Sequence, residues 1–203
     1  SSFVQAAQAA VRAQVPLPPG YYLEWSGQFR NLQTAVARLE IVVPVMLALI
    51  FLLLVMALGE LGLAALVFVN LPFAATGGIL ALYLRGMPFS ISAGVGFIAL
   101  FGVATMNGLV LVSYMRDLKK EGATPFRAAV AAVRDRFRPV MATATVACLG
   151  FFPMAFSMSE GAEVEKPLAT VVIGGLVSCT FLTLLVLPTL YAALYGRERK
   201  KQA

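Results

Sequence analysis

Apolar and charged positions in this 203-residue chain fall into separate blocks. No Asp, Glu, Lys or Arg occurs between 41 and 59, 61 and 84, 86 and 115, 139 and 159, or 167 and 196. A helix needs about 20 apolar residues to cross the hydrocarbon core of a bilayer. Each block meets or approaches that length, and none alternates with the period of two expected of barrel strands. The pattern predicts an all-α polytopic membrane protein with five helices at about 39–58, 62–84, 91–115, 139–158 and 167–195.

The connecting segments predict the orientation. The third and fourth blocks are joined by a stretch carrying Arg116, Lys119, Lys120, Arg127, Arg134, Arg136 and Arg138, and the tail carries Arg197, Arg199, Lys200 and Lys201. The alternate connections hold only Arg85 and Lys166. Lys and Arg accumulate on the cytoplasmic side, so the basic stretch and the C-terminus are expected inside. An odd number of spans then puts residues 1–38 outside. Within the basic stretch, Thr124-Pro125 is an N-cap followed by proline in the first turn. Phe126, Ala129, Val130, Val133 and Phe137 recur at helical spacing, which predicts a cytoplasmic interfacial helix over 124–137.

Residues 1–38 differ in kind. Phe3 to Val15 fits an amphipathic helix, Pro16-Leu-Pro-Pro19-Gly20 breaks it, Tyr21 to Trp25 fits a short strand, and Gln28 to Glu40 leads into the first span. These pieces cannot bury a core of their own. They read as a small α/β remnant at the end of a larger extracytoplasmic domain. The start at Ser-Ser-Phe, with no initiator methionine or signal peptide, agrees with a piece of a longer polypeptide.

Composition excludes several functions. The chain is 60% hydrophobic and 13% charged, with a mean hydropathy of +0.84; a soluble domain carries roughly a quarter charged residues. The net charge of +6 sits in topology-setting connections, not on a basic stripe that could follow nucleic acid. There is no histidine, and Cys148 and Cys179 lie singly within apolar blocks, which gives neither a disulfide framework nor a zinc spacing. No nucleophile–base pair or phosphate loop is present, so the chain reads as a non-enzyme without a cofactor.

Three features remain as candidates. Ser92/Gly96 and Ala104/Gly108 follow the small-xxx-small rule, and Gly94, Gly102, Gly174 and Gly175 add to the supply of small residues for close helix packing. Thr105 and Asn107 place polar groups near mid-membrane, where they serve either as interhelical glue or in transport. Glu160, Glu163 and Glu165 form an acidic outer connection that could draw cations, but with no closed ligand set it reads by default as a solvated loop. Asn70-Leu-Pro72, Pro44, Pro153 and Pro188 mark kinks. No span holds an ionisable group in its interior, so this piece cannot carry a proton relay by itself.

Several stretches resemble one family. Gly20-Tyr-Tyr-Leu-Glu-Trp-Ser-Gly-Gln-Phe29, Phe89-Ser-Ile-Ser-Ala-Gly-Val-Gly-Phe-Ile-Ala-Leu-Phe-Gly-Val-Ala104, Arg136-Phe-Arg-Pro-Val-Met-Ala-Thr143 and Gly161-Ala-Glu-Val-Glu-Lys-Pro-Leu-Ala-Thr-Val-Val-Ile-Gly-Gly175 are similar to the C-terminal end of resistance-nodulation-division (RND) efflux pumps. The likeness is strongest to the heavy-metal branch of cobalt-zinc-cadmium and copper-silver pumps. It implies a bacterial inner-membrane proton antiporter for metal cations, a homotrimer joined to a periplasmic adaptor and an outer-membrane channel. This chain would supply helices eight to twelve of that pump. The copper-silver type carries a relay glutamate where Met106 stands here, a lysine at Val140, and methionines at Val172 and Leu176. Those departures point to zinc, cobalt, cadmium or nickel. The family's main relay carboxylates lie on the fourth helix, outside this chain. An RND pump for organic compounds and a truncated, inactive membrane fragment are the alternatives.

Overall fold

The computed structural model describes residues 10, 11, 14, 28–159 and 161–200, in two units, 1–42 and 43–203. Within the first unit the described residues from 28 onward are helical. No strand occurs among the described residues, and the strand expected at 21–25 lies outside them. Among the described residues from 28 onward there are six helices: α1 Gln28–Leu58, α2 Leu61–Phe68, α3 Asn70–Leu84, α4 Ile91–Lys120, α5 Pro125–Phe156 and α6 Ala162–Lys200. Helices α2 and α3 together make one span, so among the described residues five segments are long and apolar enough to cross a membrane.

The division of the second span follows from its sequence. Pro72 has no amide to give the Phe68 carbonyl, and its ring crowds that carbonyl, which interrupts the helix. Val69 between the two halves keeps helical angles (φ −59°, ψ −22°), so the result is a kink and not a loop.

Local chemistry fixes the other ends. Ser90 caps α4 by accepting a hydrogen bond from the Ala93 amide at 3.2 Å, and Lys119 and Lys120 complement the dipole of its last turn. Gly122 turns the chain with φ +96°, a value that L-residues avoid. Thr124 then caps α5 by accepting from the Arg127 amide at 3.3 Å, with Pro125 at the first helical position.

Helix α5 departs from the expected layout. The interfacial helix over 124–137 and the span over 139–158 are one continuous helix of 32 residues that runs through Pro139. Proline removes a single backbone hydrogen bond, and a new helix start would need a capping side chain. Asp135, the residue there best suited to that role, instead accepts a hydrogen bond from the Tyr114 hydroxyl at 2.8 Å. Its small side, Ala128, Ala129 and Ala132, is buried, while Phe126, Val130 and Phe137 are exposed. Helix α6 is also longer than expected, starting at Ala162 and running for 39 residues, about 58 Å at 1.5 Å per residue.

Two apolar clusters form the core of the second unit. One joins Leu54 and Leu58 of α1 to Leu63 and Val67 of α2, Leu111 and Met115 of α4, Ala129 of α5 and Tyr191 of α6. The other joins Leu71 and Ala74 of α3 to Phe97 and Leu100 of α4 and to Val171 and Leu176 of α6. Polar clamps close both ends. At the first, Arg116 donates to the Leu58 carbonyl at 2.7 Å, the Tyr195 hydroxyl bonds the Glu60 carboxylate, and the Lys119 ammonium lies 4.2 Å from the Tyr195 ring centre. At the second, Arg85 donates to Thr170 at 2.6 Å and to the Ala155 carbonyl at 2.8 Å, and stacks over Phe156. The α1–α2 turn therefore shares an end with the ends of α4 and α6, as an up-and-down bundle requires.

Candidate functional site

Close helix approach builds the centre of the bundle, and glycine permits it. A methyl group on Gly174 of α6 would sit 2.3 Å from the Ala81 Cβ and 2.9 Å from the Gly77 carbonyl of α3. A methyl group on Gly77 would in turn meet the Gly174 carbonyl at 2.8 Å and the Ser178 hydroxyl at 2.1 Å. The α3 and α6 backbones are thus in direct contact, and Ser178 donates to the Phe73 carbonyl across the same seam at 3.1 Å. Gly175 faces Leu100 of α4, Gly96 of α4 faces the Leu168 backbone of α6, and Gly108 of α4 faces Val67 of α2. Gly94 is buried. Gly102 has nothing within 4 Å of where its Cβ would be. Gly77 and Gly78 stand outside the small-xxx-small pairs of the sequence, but their doublet is the counterpart of Gly174-Gly175 and marks the other side of this seam.

A buried polar belt crosses this centre. The kink at Pro72 brings Asn70 against α6, where its amide nitrogen donates to the Thr183 hydroxyl at 2.6 Å and lies 3.5 Å from the Cys179 sulfur. Thr180 donates back to the Leu176 carbonyl at 2.6 Å. Asn107 is 5% exposed, and its amide nitrogen has no hydrogen-bond partner among the described residues. Thr105 donates to the Phe101 carbonyl one turn earlier, at 2.7 Å. Thr105 and Asn107 are therefore not joined in one site, since Thr105 satisfies its own helix while Asn107 points into the core.

Adjacent residues of α4 face opposite ways. Asn107 is buried, whereas Met106 is 52% exposed. Val95, Ala99, Gly102, Met106 and Val110 form an exposed stripe at helical spacing along α4, with no ionisable group on it. The outer acidic connection is less organised: Glu163 and Glu165 are exposed in the first turn of α6, where they complement the helix dipole, and Glu160 lies outside the described residues. Among the described residues no group of His, Cys, Asp and Glu is placed to hold a metal ion.

The AcrB/AcrD/AcrF family matches residues 1–195. The chain belongs to that family. It is the RND family, and this chain is a piece of its heavy-metal branch. The cobalt-zinc-cadmium resistance protein CzcA of Cupriavidus metallidurans is 53% identical over 197 residues, which cover 97% of this chain and 18% of that protein. The nickel and cobalt resistance protein CnrA of the same organism is 56% identical over the same shares. The cation efflux system protein CusA of Escherichia coli is 33% identical over 209 residues, covering 96% of this chain and 20% of that one. A crystal structure of a heavy metal efflux pump superposes with a TM-score of 0.78 at 43% identity, over 94% of this chain and 19% of that one. The chain thus spans about a fifth of the length of these RND relatives. The exposed α4 stripe and Asn107, whose amide nitrogen is unpaired among the described residues, belong to a piece whose relatives are far larger.

Proposed function

We propose that this chain is the membrane part of a proton-driven exporter of divalent metal cations, moving zinc, cobalt, cadmium or nickel in preference to copper or silver across the cell envelope. The observation that carries the reading is the match, at 53–56% identity along almost the whole chain, to relatives named for resistance to those four metals. Met106, Val140, Val172 and Leu176, which replace the charged and thioether residues of the copper-silver type, support the same choice, because soft Cu(I) favours sulfur ligands.

In this reading the transporter is a secondary antiporter of the inner membrane. Residues 1–38 are the end of its periplasmic domain, residues 39–203 are its transmembrane part, and the basic 116–138 stretch and the tail are cytoplasmic. The assembly is a homotrimer with a periplasmic adaptor and an outer-membrane channel. The coupling carboxylates sit on a helix outside this chain, and the exposed stripe Val95–Ala99–Gly102–Met106–Val110 of α4 is its seat. Gly102 lets that helix approach, and the bare stripe leaves the proton-binding groups entirely to the partner helix. Thr105 flanks that contact on α4, while Asn107 lies behind it on the buried side of the same helix.

The test is survival of a metal-sensitive host expressing the full-length protein on graded zinc, cobalt, cadmium, nickel and copper. Protection against the first four is expected. Protection against copper alone would overturn the choice of metals. Unchanged tolerance with assembled protein in the membrane, or tolerance to organic compounds only, would overturn the exporter reading itself.

A further inference from the structure

Three buried polar side chains fall at one level of the bundle. Each lies where its helix passes from one apolar cluster to the other: Asn70 between Val67 and Leu71, Asn107 between Ala104 and Leu111, and Thr183 between Cys179 and Leu187. The contacts of α4 with α6 set the register. The two helices run in the same direction, with Gly96 against Leu168, Leu100 against Gly175, and the Tyr191 hydroxyl donating to the Met115 carbonyl at 3.4 Å. Asn107 is about two turns beyond Leu100 on the same side of α4, so it comes level with Thr183 of α6.

Two hydrogen-bonding capacities are unused at this level. The Asn107 amide nitrogen is buried and has no acceptor among the described residues. A buried donor without an acceptor loses its hydration and gains nothing in return, and the bilayer core offers no water to relieve it. Thr183 holds the complement. Its oxygen accepts from the Asn70 amide at 2.6 Å, and the Cys179 sulfur lies 3.6 Å away to take its hydrogen. A hydroxyl oxygen has two lone pairs, so with that hydrogen on sulfur one lone pair is left for a further donor. What separates donor from acceptor is the packing of α4 on α6. It rests here on Gly96, Leu100 and Gly175, contacts without the directionality of a hydrogen bond.

We propose that Asn107 and Thr183 form a latch at mid-membrane, open in this packing and closed when α4 shifts on α6 until the Asn107 nitrogen donates to the Thr183 oxygen. The closed latch ties α3, α4 and α6 through one hydroxyl, because Asn70 already donates to it. Met106, next to Asn107, faces the other way, on the exposed stripe of α4. Closing the latch therefore moves that stripe, and a helix seated on the stripe biases the latch in turn. The link to the stripe rests on the exporter reading, whereas the latch itself stands on the unpaired amide and its register.

The test uses full-length protein carrying Asn107→Leu, Thr183→Val, both together, or Thr183→Ser. It reads the melting temperature and the rate of zinc, cobalt, cadmium or nickel efflux from preloaded cells. Leucine removes the unpaired amide at similar volume, so Asn107→Leu is expected to melt no lower than wild type. Efflux is expected to fall about fivefold in Asn107→Leu and in Thr183→Val, and no further in the double variant. It is expected to be spared in Thr183→Ser, the conservative variant that keeps the oxygen. A lower melting temperature for Asn107→Leu overturns the proposal, because the amide is then bonded in the resting packing. Unchanged efflux in either Asn107→Leu or Thr183→Val, an equal loss in Thr183→Ser, or losses that multiply in the double variant also overturn it. A wild type that moves no metal overturns the exporter reading instead, and the melting comparison then decides the latch alone.

Discussion

Helices α4 and α6 are built differently from α1 and α5. About half of the apolar window of α4 and 56% of that of α6 are buried, against 11% for α1 and 17% for α5. Hydropathy does not explain the contrast, because α1 is the most apolar of the four. Small residues at helical spacing do explain it. Helices α3, α4 and α6 carry Gly77, Gly96, Gly108, Gly174 and Gly175 where backbones or side chains meet, whereas Gly150 of α5 has nothing within 4 Å. In a membrane, lipid is as apolar as leucine, so apolar character alone gives helices no reason to associate. Close approach does, through dispersion and backbone contact. The central helices are identified by their smallest residues and the outer ones by their largest.

The sharpest way to break this contrast is to fill the α3–α6 seam. Gly174→Val should destabilise the protein by about 3 kcal/mol or more, since its Cβ meets Ala81 and backbone that cannot swing aside; loss of monodisperse protein in fluorescence-detected size-exclusion chromatography would report it. Gly174→Ala should cost about 2 kcal/mol in the same assay or by thermal melting. Removing the interhelical bond is a smaller step. Asn70→Leu should cost about 1 kcal/mol, and a double-mutant cycle with Thr183→Val should show coupling of about that size. At the outer helices the expectation is near zero. Gly150→Ala should leave the melting point unchanged or raise it by up to about 1 kcal/mol equivalent, because alanine favours helix and meets no neighbour. Val146→Ala, at a site 70% exposed, should fall within about 0.5 kcal/mol. If Gly150→Ala and Gly174→Ala proved equally harmful, the division into packed centre and exposed periphery would fail.

One substitution tests the proposed seat on α4. Gly102→Leu should leave melting of the isolated membrane part unchanged, as nothing lies within 4 Å. In the full-length protein it should abolish metal tolerance by wedging the incoming helix away. Tolerance preserved in that variant would place the coupling helix elsewhere.

The five spans were readable because each unpaired charge in a bilayer costs about 2.5–3.5 kcal/mol or more, which forces Asp, Glu, Lys and Arg to the ends of membrane helices. That single penalty marked the apolar stretches of α1, α2–α3, α4, α5 and α6, but not the starts of α1 and α5, which run 11 and 14 residues ahead of them at Gln28 and Pro125. The kink at Val69 was partly readable, since Asn70-Leu-Pro72 marked it, but the destination of the Asn70 amide on Thr183 was not. Asn107 and Thr105 looked alike in sequence, two polar groups two residues apart at mid-membrane. Asn107 is buried with its amide nitrogen unpaired among the described residues, and Thr105 is satisfied by its own helix. The glycines were equally ambiguous: Gly102 and Gly108 share a helix and a composition, yet one faces open space and the other Val67.

The sequence by itself thus determined what crosses the membrane, because the transfer energy of a charge depends only on the residue and its depth. Tertiary structure alone decided which side of each helix meets another. Apart from the few polar positions of the buried belt, the faces of these spans are apolar enough for lipid, so pattern alone does not separate a packed face from a lipid-facing one. Only the match of shape between Gly77 and Gly174, Leu100 and Gly175, or Val67 and Gly108 makes that choice.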